Sequence, residues 1–281
     1  MLNLYKKISA LFEISRPLNV LIAFLTIFIA AAVAAGGLQI NREVLLAAIS
    51  TALITIGANV INDIFDVAID RINKPYRPLP AGKLSRNEAL VYFLLVYAAG
   101  WLIAALINVT MFLIAIIIGI LLVFYSVWYK RTILFGNMVV SFASAMAFVY
   151  GGLAVGRIEE TFFPAVFAFL FHFGREVIKD LQDTNGDRQA GAVTFAVKYG
   201  HKPSFYLTLV VFLVLIVVTL IPYILRIYNL AYLLVVIFGI YPVMGLVLYV
   251  TWKTTEQKKL GLMSTILKID MLVGLLAIYV G

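Results

Sequence analysis

Nine apolar runs, each long enough to cross a bilayer, leave this chain few folds to choose from. They fall at about 19–37, 44–66, 87–107, 110–128, 136–156, 161–182, 204–222, 229–251 and 262–280. A hydrocarbon core about 30 Å thick takes roughly 20 such residues as a helix. Lipid offers the backbone no hydrogen-bond partner, so runs of this kind span as helices. Soluble chains are about half apolar and a quarter charged, whereas 63% of these 281 residues are hydrophobic and 13% charged. The expected fold class is all-α, a polytopic membrane protein with nine transmembrane helices. Little chain is left between the runs, which predicts one transmembrane domain over residues 1–281 and no soluble appendage.

The opening residues, MLNLYKKISALF, are too short for a signal peptide and lack its small-residue cleavage site. Residues 1–18 are expected to form an amphipathic helix on the membrane surface, with Lys6 and Lys7 toward lipid headgroups. With the N-terminus cytoplasmic, only Arg42, Arg157 and Arg226 of the 22 basic residues lie on the far side. The positive-inside rule therefore predicts a multi-pass cell-membrane protein whose N-terminus and basic face are cytoplasmic. The high pI records that basic face, and without interleaved aromatic and basic residues no nucleic-acid partner is expected. The chain has no cysteine, which excludes disulfides and thiol chemistry. Two distant histidines, His172 and His201, make no zinc site.

Against this apolar background two charged clusters stand out. The first is Asn59, Asp63, Asp66, Asp70 and Arg71; the second is Glu176, Asp180, Asp183, Asp187 and Arg188, with the same spacing at an offset of 117 residues. This reads as an internal repeat, at the cytoplasmic ends of the second and sixth spans. At 100° per residue, positions 59, 63, 66 and 70 fall within an arc of about 60°. A helix over 44–70 would be roughly 40 Å long, which sets its aspartates near the headgroup level. In the second cluster the Asn185-Gly186 pair is a turn signal, which puts Asp187 on a helix or on a loop.

Carboxylates so disposed repel one another. Magnesium suits them, since it takes one or two carboxylates per ion, keeps waters and bridges to phosphates. Solvated faces neutralised by neighbouring Lys and Arg are the plainer reading of one cluster, and a weaker reading of two with matched spacing. Arg71, Lys74, Arg77 and Lys83 follow the first cluster, Lys130 and Arg131 close the loop after the fourth span, and Arg175, Lys179, Arg188 and Lys198 surround the second. Metal-holding carboxylates ringed by cations fit a chelating polyanion such as a diphosphate. A cation transporter is the competing class. Its carboxylates would sit near the midplane on broken helices in inverted repeats, not at one face in repeats of the same topology. A phosphatidyltransferase would need a D-G-x2-A-R opening that the chain lacks.

Asn62-Asp63-x2-Asp66-x3-Asp70 followed by RPLPAG at Arg77–Gly82 resembles the first signature of the UbiA-type intramembrane prenyltransferases. Asp180-x2-Asp183-x3-Asp187 resembles the second. The family's Tyr-x3-Lys element is similar to Tyr125–Lys130 with one extra residue, or to Ser126-x3-Lys130. Arg16-Pro17-Leu18-Asn19 is similar to an early Arg-Pro-x-Asn. The resemblance runs from Arg16 to Lys198. It implies nine helices around a central lipid-accessible cavity and magnesium as cofactor, held by Asn62, Asp63, Asp66, Asp70, Asp180, Asp183 and Asp187. It implies catalytic roles for Asp66, Asp70, Asp183, Asp187 and Lys130, and a prenyl diphosphate bound by Arg71, Arg77, Lys130, Arg131 and Arg188. Acceptor contacts are expected from Arg16, Asn19, Asn59, Lys74, Tyr125 and Lys179. Tyr125, Trp128 and Tyr129 are the rings nearest the site. The short RINKPY linker most resembles archaeal members that join geranylgeranyl diphosphate to geranylgeranylglyceryl phosphate. An aromatic acceptor such as 4-hydroxybenzoate is the alternative. Membrane lipids are expected around the whole.

Overall fold

The computed structural model describes residues 2–281, with side chains from Tyr5 onward. Among the described residues there is no β-strand. The α-helices run α1 Leu2–Ile14, α2 Pro17–Ala35, α3 Arg42–Asn73, α4 Arg86–Ala105, α5 Val109–Val127, α6 Phe135–Leu153, α7 Phe162–Gln189, α8 Phe195–Tyr199, α9 His201–Ile224, α10 Leu230–Val235, α11 Tyr241–Lys253 and α12 Gln257–Val280. A π-helical turn at Val236–Ile240 joins α10 to α11 in one span. Pro242 lies two residues past its end, and a residue without an N–H forces the helix to redistribute its bonds there. Among the described residues nine helices are long and apolar enough to cross a membrane, matching the nine apolar runs.

Local chemistry sets the ends. Asn41, Asn108 and Asn229 cap α3, α5 and α10 by accepting from Val44 N, Met111 N and Tyr232 N at 2.9, 2.9 and 3.1 Å. Ser85 and Glu88 form a reciprocal capping box on α4, a device that satisfies two orphan donors together. The N-terminal helix stops at Ile14 instead of continuing to residue 18. Arg16 adopts a left-handed φ of 53° and Pro17 opens α2, where its fixed φ suits a first helical turn. The Asn185-Gly186 pair does not end α7, which carries Asp187 on to Gln189.

Helix α2 packs against α3, α6 and α12, and α7 packs against α6, α9 and α12. The buried Ala30, Ala31, Ala32 and Ala34 let the neighbours of α2 approach closely, as small residues do between helices in lipid. Large apolar side chains such as Leu95, Leu102, Ile117, Val217 and Phe238 stay exposed on the outside of the bundle, where lipid solvates them. The long α3 and α7 lie against each other, which brings the two charged clusters to one basic end.

Candidate active site

Helix periodicity puts Asn59, Asp63, Asp66 and Asp70 on one face of α3, and all four are buried. Each polar group is matched. Asn59 Nδ2 donates to Ser15 O at 2.9 Å, and its Oδ1 accepts from Asn19 Nδ2 at 3.4 Å. Asn62 Nδ2 donates to Asp66 Oδ2 at 2.9 Å. Asp63 pairs with Arg16 and, at 3.1 Å, with Arg77 Nη1, which also reaches Asp70 at 2.6 Å. Lys130 pairs with Asp66.

Helix α7 offers the matching face. Glu176 holds Arg175 at 2.9 Å and Lys179 at 2.6 Å. Asp180 accepts from Asn137 Nδ2 of α6 at 2.9 Å. Lys74, just past the end of α3, crosses to α7 and donates to both Asp183 oxygens at 2.8 Å. Asp187 is buried and feels the charges of Lys130, Asp183, Asp66 and Lys74. Gly186 makes this approach close: a Cβ there would lie 2.3 Å from the Asn73 amide nitrogen, which donates to Asp183 O at 3.2 Å.

The two aspartate faces therefore meet, with cations between them. Burial works against the charge of Lys130, yet Asp66 outweighs it, with Asp183 and Asp70 adding, and holds the ammonium above the usual lysine range. Burial likewise opposes Arg77, and Asp63 and Asp70 raise it. For Lys74 burial wins over Asp183 and lowers the pKa. The donor set of hard carboxylate oxygens fits magnesium, and an ammonium already stands where the two faces converge, so the position favours a cation. Among the described residues no three His, Asp or Glu side chains converge on one point by themselves. Asp63, Asp66, Asp70 and Asp183 are instead engaged by Lys and Arg side chains in this conformation, and Asp180 by Asn137.

A cavity of about 450 Å³ opens beside the clusters. Its polar end is walled by Arg16, Asn19, Asn59, Asn62, Lys74 and Arg77 on one side and Arg175, Glu176 and Lys179 on the other, while Ile54, Ile114, Ala147 and Phe148 line its apolar depth. Tyr125 faces this space, whereas Ser126 turns back to Leu122 O at 3.0 Å, so the tyrosine and not the serine belongs to the site. Three cations expected on the diphosphate lie elsewhere: Arg71, Arg131 and Arg188 are exposed and absent from the cavity wall. Arg71 and Arg188 each follow a buried aspartate by one residue, and a 100° turn carries them off its face. Trp128 also points away, 57% exposed and stacked on Phe124, and Tyr129 is not part of the wall.

Some polar groups at the site were not among the expected site residues. Asn137 contributes from α6, His172 lines the cavity with a buried, unpartnered Nδ1, and Lys268 reaches it from α12. Lys268 carried a visible signal, a charge inside an apolar run, since ionisable residues within a span mark functional positions.

Comparison with known proteins agrees with this geometry. The chain is 38% identical over 213 residues to digeranylgeranylglyceryl phosphate synthase of Thermococcus kodakarensis, covering 76% of this chain and 77% of that one. A solved structure of digeranylgeranylglyceryl phosphate synthase in membranes is similar over 98% of both chains, with a TM-score of 0.75 and 30% identity. A UbiA homologue from Archaeoglobus fulgidus bound to DMAPP and Mg2+ shares the fold at a TM-score of 0.65 and 20% identity, over 96% of this chain and 99% of that one. The profile of the UbiA prenyltransferase family matches residues 23–269. The chain belongs to that family.

Proposed function

We propose that this protein transfers a geranylgeranyl group from geranylgeranyl diphosphate to geranylgeranylglyceryl phosphate, forming the second ether bond of an archaeal membrane lipid, with magnesium as cofactor. The observation that carries this reading is the meeting of two aspartate faces, buried on α3 and half-buried to buried on α7, beside a partly apolar cavity that their Lys and Arg partners Arg16, Lys74 and Arg77 help to line. The names of the similar proteins support the acceptor. In this reading the chain works as one unit, with its basic end and N-terminus in the cytoplasm.

Asn62, Asp63, Asp66, Asp70, Asp180, Asp183 and Asp187 would hold the metal, which supplies charge neutralisation for the departing diphosphate. Arg77, Lys130 and Lys74 release their carboxylates in part and turn toward the phosphate oxygens, the guanidinium of Arg77 binding two at once. That charge stabilisation grows as the allylic C1–O bond breaks and thus lowers the barrier. The Tyr125 ring offers a π face to the allylic cation. The apolar depth of the cavity takes the isoprenyl tail and excludes water, which would otherwise capture that cation. Asn19 and Asn59 hold the entry of α2 against α3 and keep Arg16 beside Asp63. The acceptor hydroxyl oxygen then bonds to C1 in place of the departed diphosphate oxygen, and its proton passes to the released diphosphate.

The test uses the protein in nanodiscs with radiolabelled geranylgeranyl diphosphate and both acceptors in competition. Label should move to the glycerol ether, stop with EDTA and resume with magnesium. Label on 4-hydroxybenzoate with none on the glycerol ether would overturn the acceptor assignment and leave the metal site standing.

A further inference from the structure

Lys268 lies near the middle of α12, half-buried, with its side chain on the central cavity. Among the described residues its ammonium has no hydrogen-bond or ion-pair partner, unlike Lys74, Arg77 and Lys130, each committed to an aspartate. A lysine inside a span is costly, and it normally faces a polar cavity and finds a counterion. The charges acting on it are Arg175, Arg16 and Lys179 against a single carboxylate, Glu176. Asp63 matches Arg16, and Glu176 is shared by Arg175 and Lys179. This corner of the cavity therefore carries about two unmatched positive charges, and a phosphate monoester carries about −1.5 to −2 near neutral pH.

The shape of the space agrees with the charge. The cavity continues past Phe148, His172 and Met271, one turn beyond Lys268, into a second apolar space of about 90 Å³ between α7, α9, α11 and α12. Phe167, Leu215, Met244 and Ile278 line that branch. It diverges from the apolar depth between α3, α5 and α6, which Ile54, Ile114 and Ala147 line. The branch gives the centre a second apolar direction; at about 90 Å³ it takes the first part of a prenyl chain in this conformation, and the buried Asp270 carboxyl lies on its wall.

We propose that Lys268 and Arg175 form a second anion subsite that binds the phosphate of a prenylated acceptor, with the acceptor's own tail entering the α7–α9–α12 branch. This rests on the acceptor reading above. It assigns the acceptor phosphate to a pair outside the set first expected: Arg16 and Lys74 are held by Asp63 and Asp183. Of the two cations that share Glu176, Arg175 is the one fixed against α12, its Nε donating to Ser264 O at 3.2 Å and its Nη1 to Glu176 at 2.9 Å, which leaves Nη2 for a phosphate oxygen.

The experiment compares wild type, Lys268→Met and Lys268→Arg with two acceptors, geranylgeranylglyceryl phosphate and the same alcohol without phosphate. Lys268→Met should raise the KM for the phosphorylated acceptor by about tenfold to a hundredfold, the range for a lost charged hydrogen bond. Lys268→Arg should recover most of that affinity. KM for the donor and for the unphosphorylated acceptor should stay within about twofold in both variants, as expected for a group that touches one phosphate only. An unchanged acceptor KM in Lys268→Met, or a loss equal for both acceptors, overturns the subsite. A wild-type protein that transfers nothing to either glycerol acceptor, yet prenylates 4-hydroxybenzoate, overturns instead the function on which the subsite rests.

Discussion

Replacing Arg77 with Met removes the one side-chain partner that Asp70 has among the described residues. Arg77 Nη1 lies 2.6 Å from Asp70 and 3.1 Å from Asp63, and each carboxylate is 2% exposed. The two aspartates are not affected equally. Asp63 keeps Arg16, while Asp70 becomes a buried charge with no compensation. Breaking such a pair costs about 3–5 kcal/mol, against about 0–1 for a pair in water. The Arg77 side chain is only 19% exposed, so the buried figure is the relevant one. At roughly 2–4 °C per kcal/mol, detergent-solubilised Arg77→Met should unfold about 10 °C below wild type in a magnesium-free fluorescence melt. Asp70→Asn in the same chain removes the stranded charge and should restore about half of the loss or more, a coupling that a double-mutant cycle isolates. Millimolar magnesium should raise the melting temperature of Arg77→Met more than that of wild type, because the freed carboxylates can take the ion. An Arg77→Met protein that melts within about 2 °C of wild type, with no gain from Asp70→Asn, would refute the buried-counterion account.

Asp66→Ala and Asp183→Ala should each abolish prenyl transfer in magnesium while the protein still elutes as a folded species, and near-normal turnover in either rules out a two-cluster metal site. Lys130→Ala should weaken diphosphate binding, read by inhibition with inorganic diphosphate; an unchanged inhibition constant returns Lys130 to a purely structural role. Gly136 packs where a Cβ would meet Tyr129 O at 2.7 Å and Lys130 Cα at 3.0 Å. Gly136→Ala should therefore displace the turn carrying Lys130 and lower kcat with little change in melting temperature, and an unaltered kcat argues against that coupling. In right-side-out vesicles a membrane-impermeant maleimide should label the Ile227→Cys variant and not Lys202→Cys, since the chain has no cysteine of its own. The opposite pattern inverts the orientation.

The number of spans, the basic end and the two carboxylate faces were all legible in the sequence, because each follows from local rules. Lipid leaves an apolar run of some 20 residues little choice but a helix, and helical periodicity alone puts Asp63, Asp66 and Asp70 on one stripe. How each helix is rotated against its neighbours is not local. Packing decided that Lys74 reaches across to Asp183, that Lys130 stands between the two clusters, and that Tyr125 rather than Ser126 faces the cavity. The turn signal at Asn185-Gly186 was overridden because Gly186 lets Asn73 pack against a continuous α7. Arg71, Arg131 and Arg188 sit close to the site along the chain and outside it in space. Lys268, 80 residues beyond the end of the second cluster, stands near Arg175 only because α12 closes the bundle against α7. A charge pattern repeated in sequence thus named the site's two walls, and the contacts between helices determined which cations complete it.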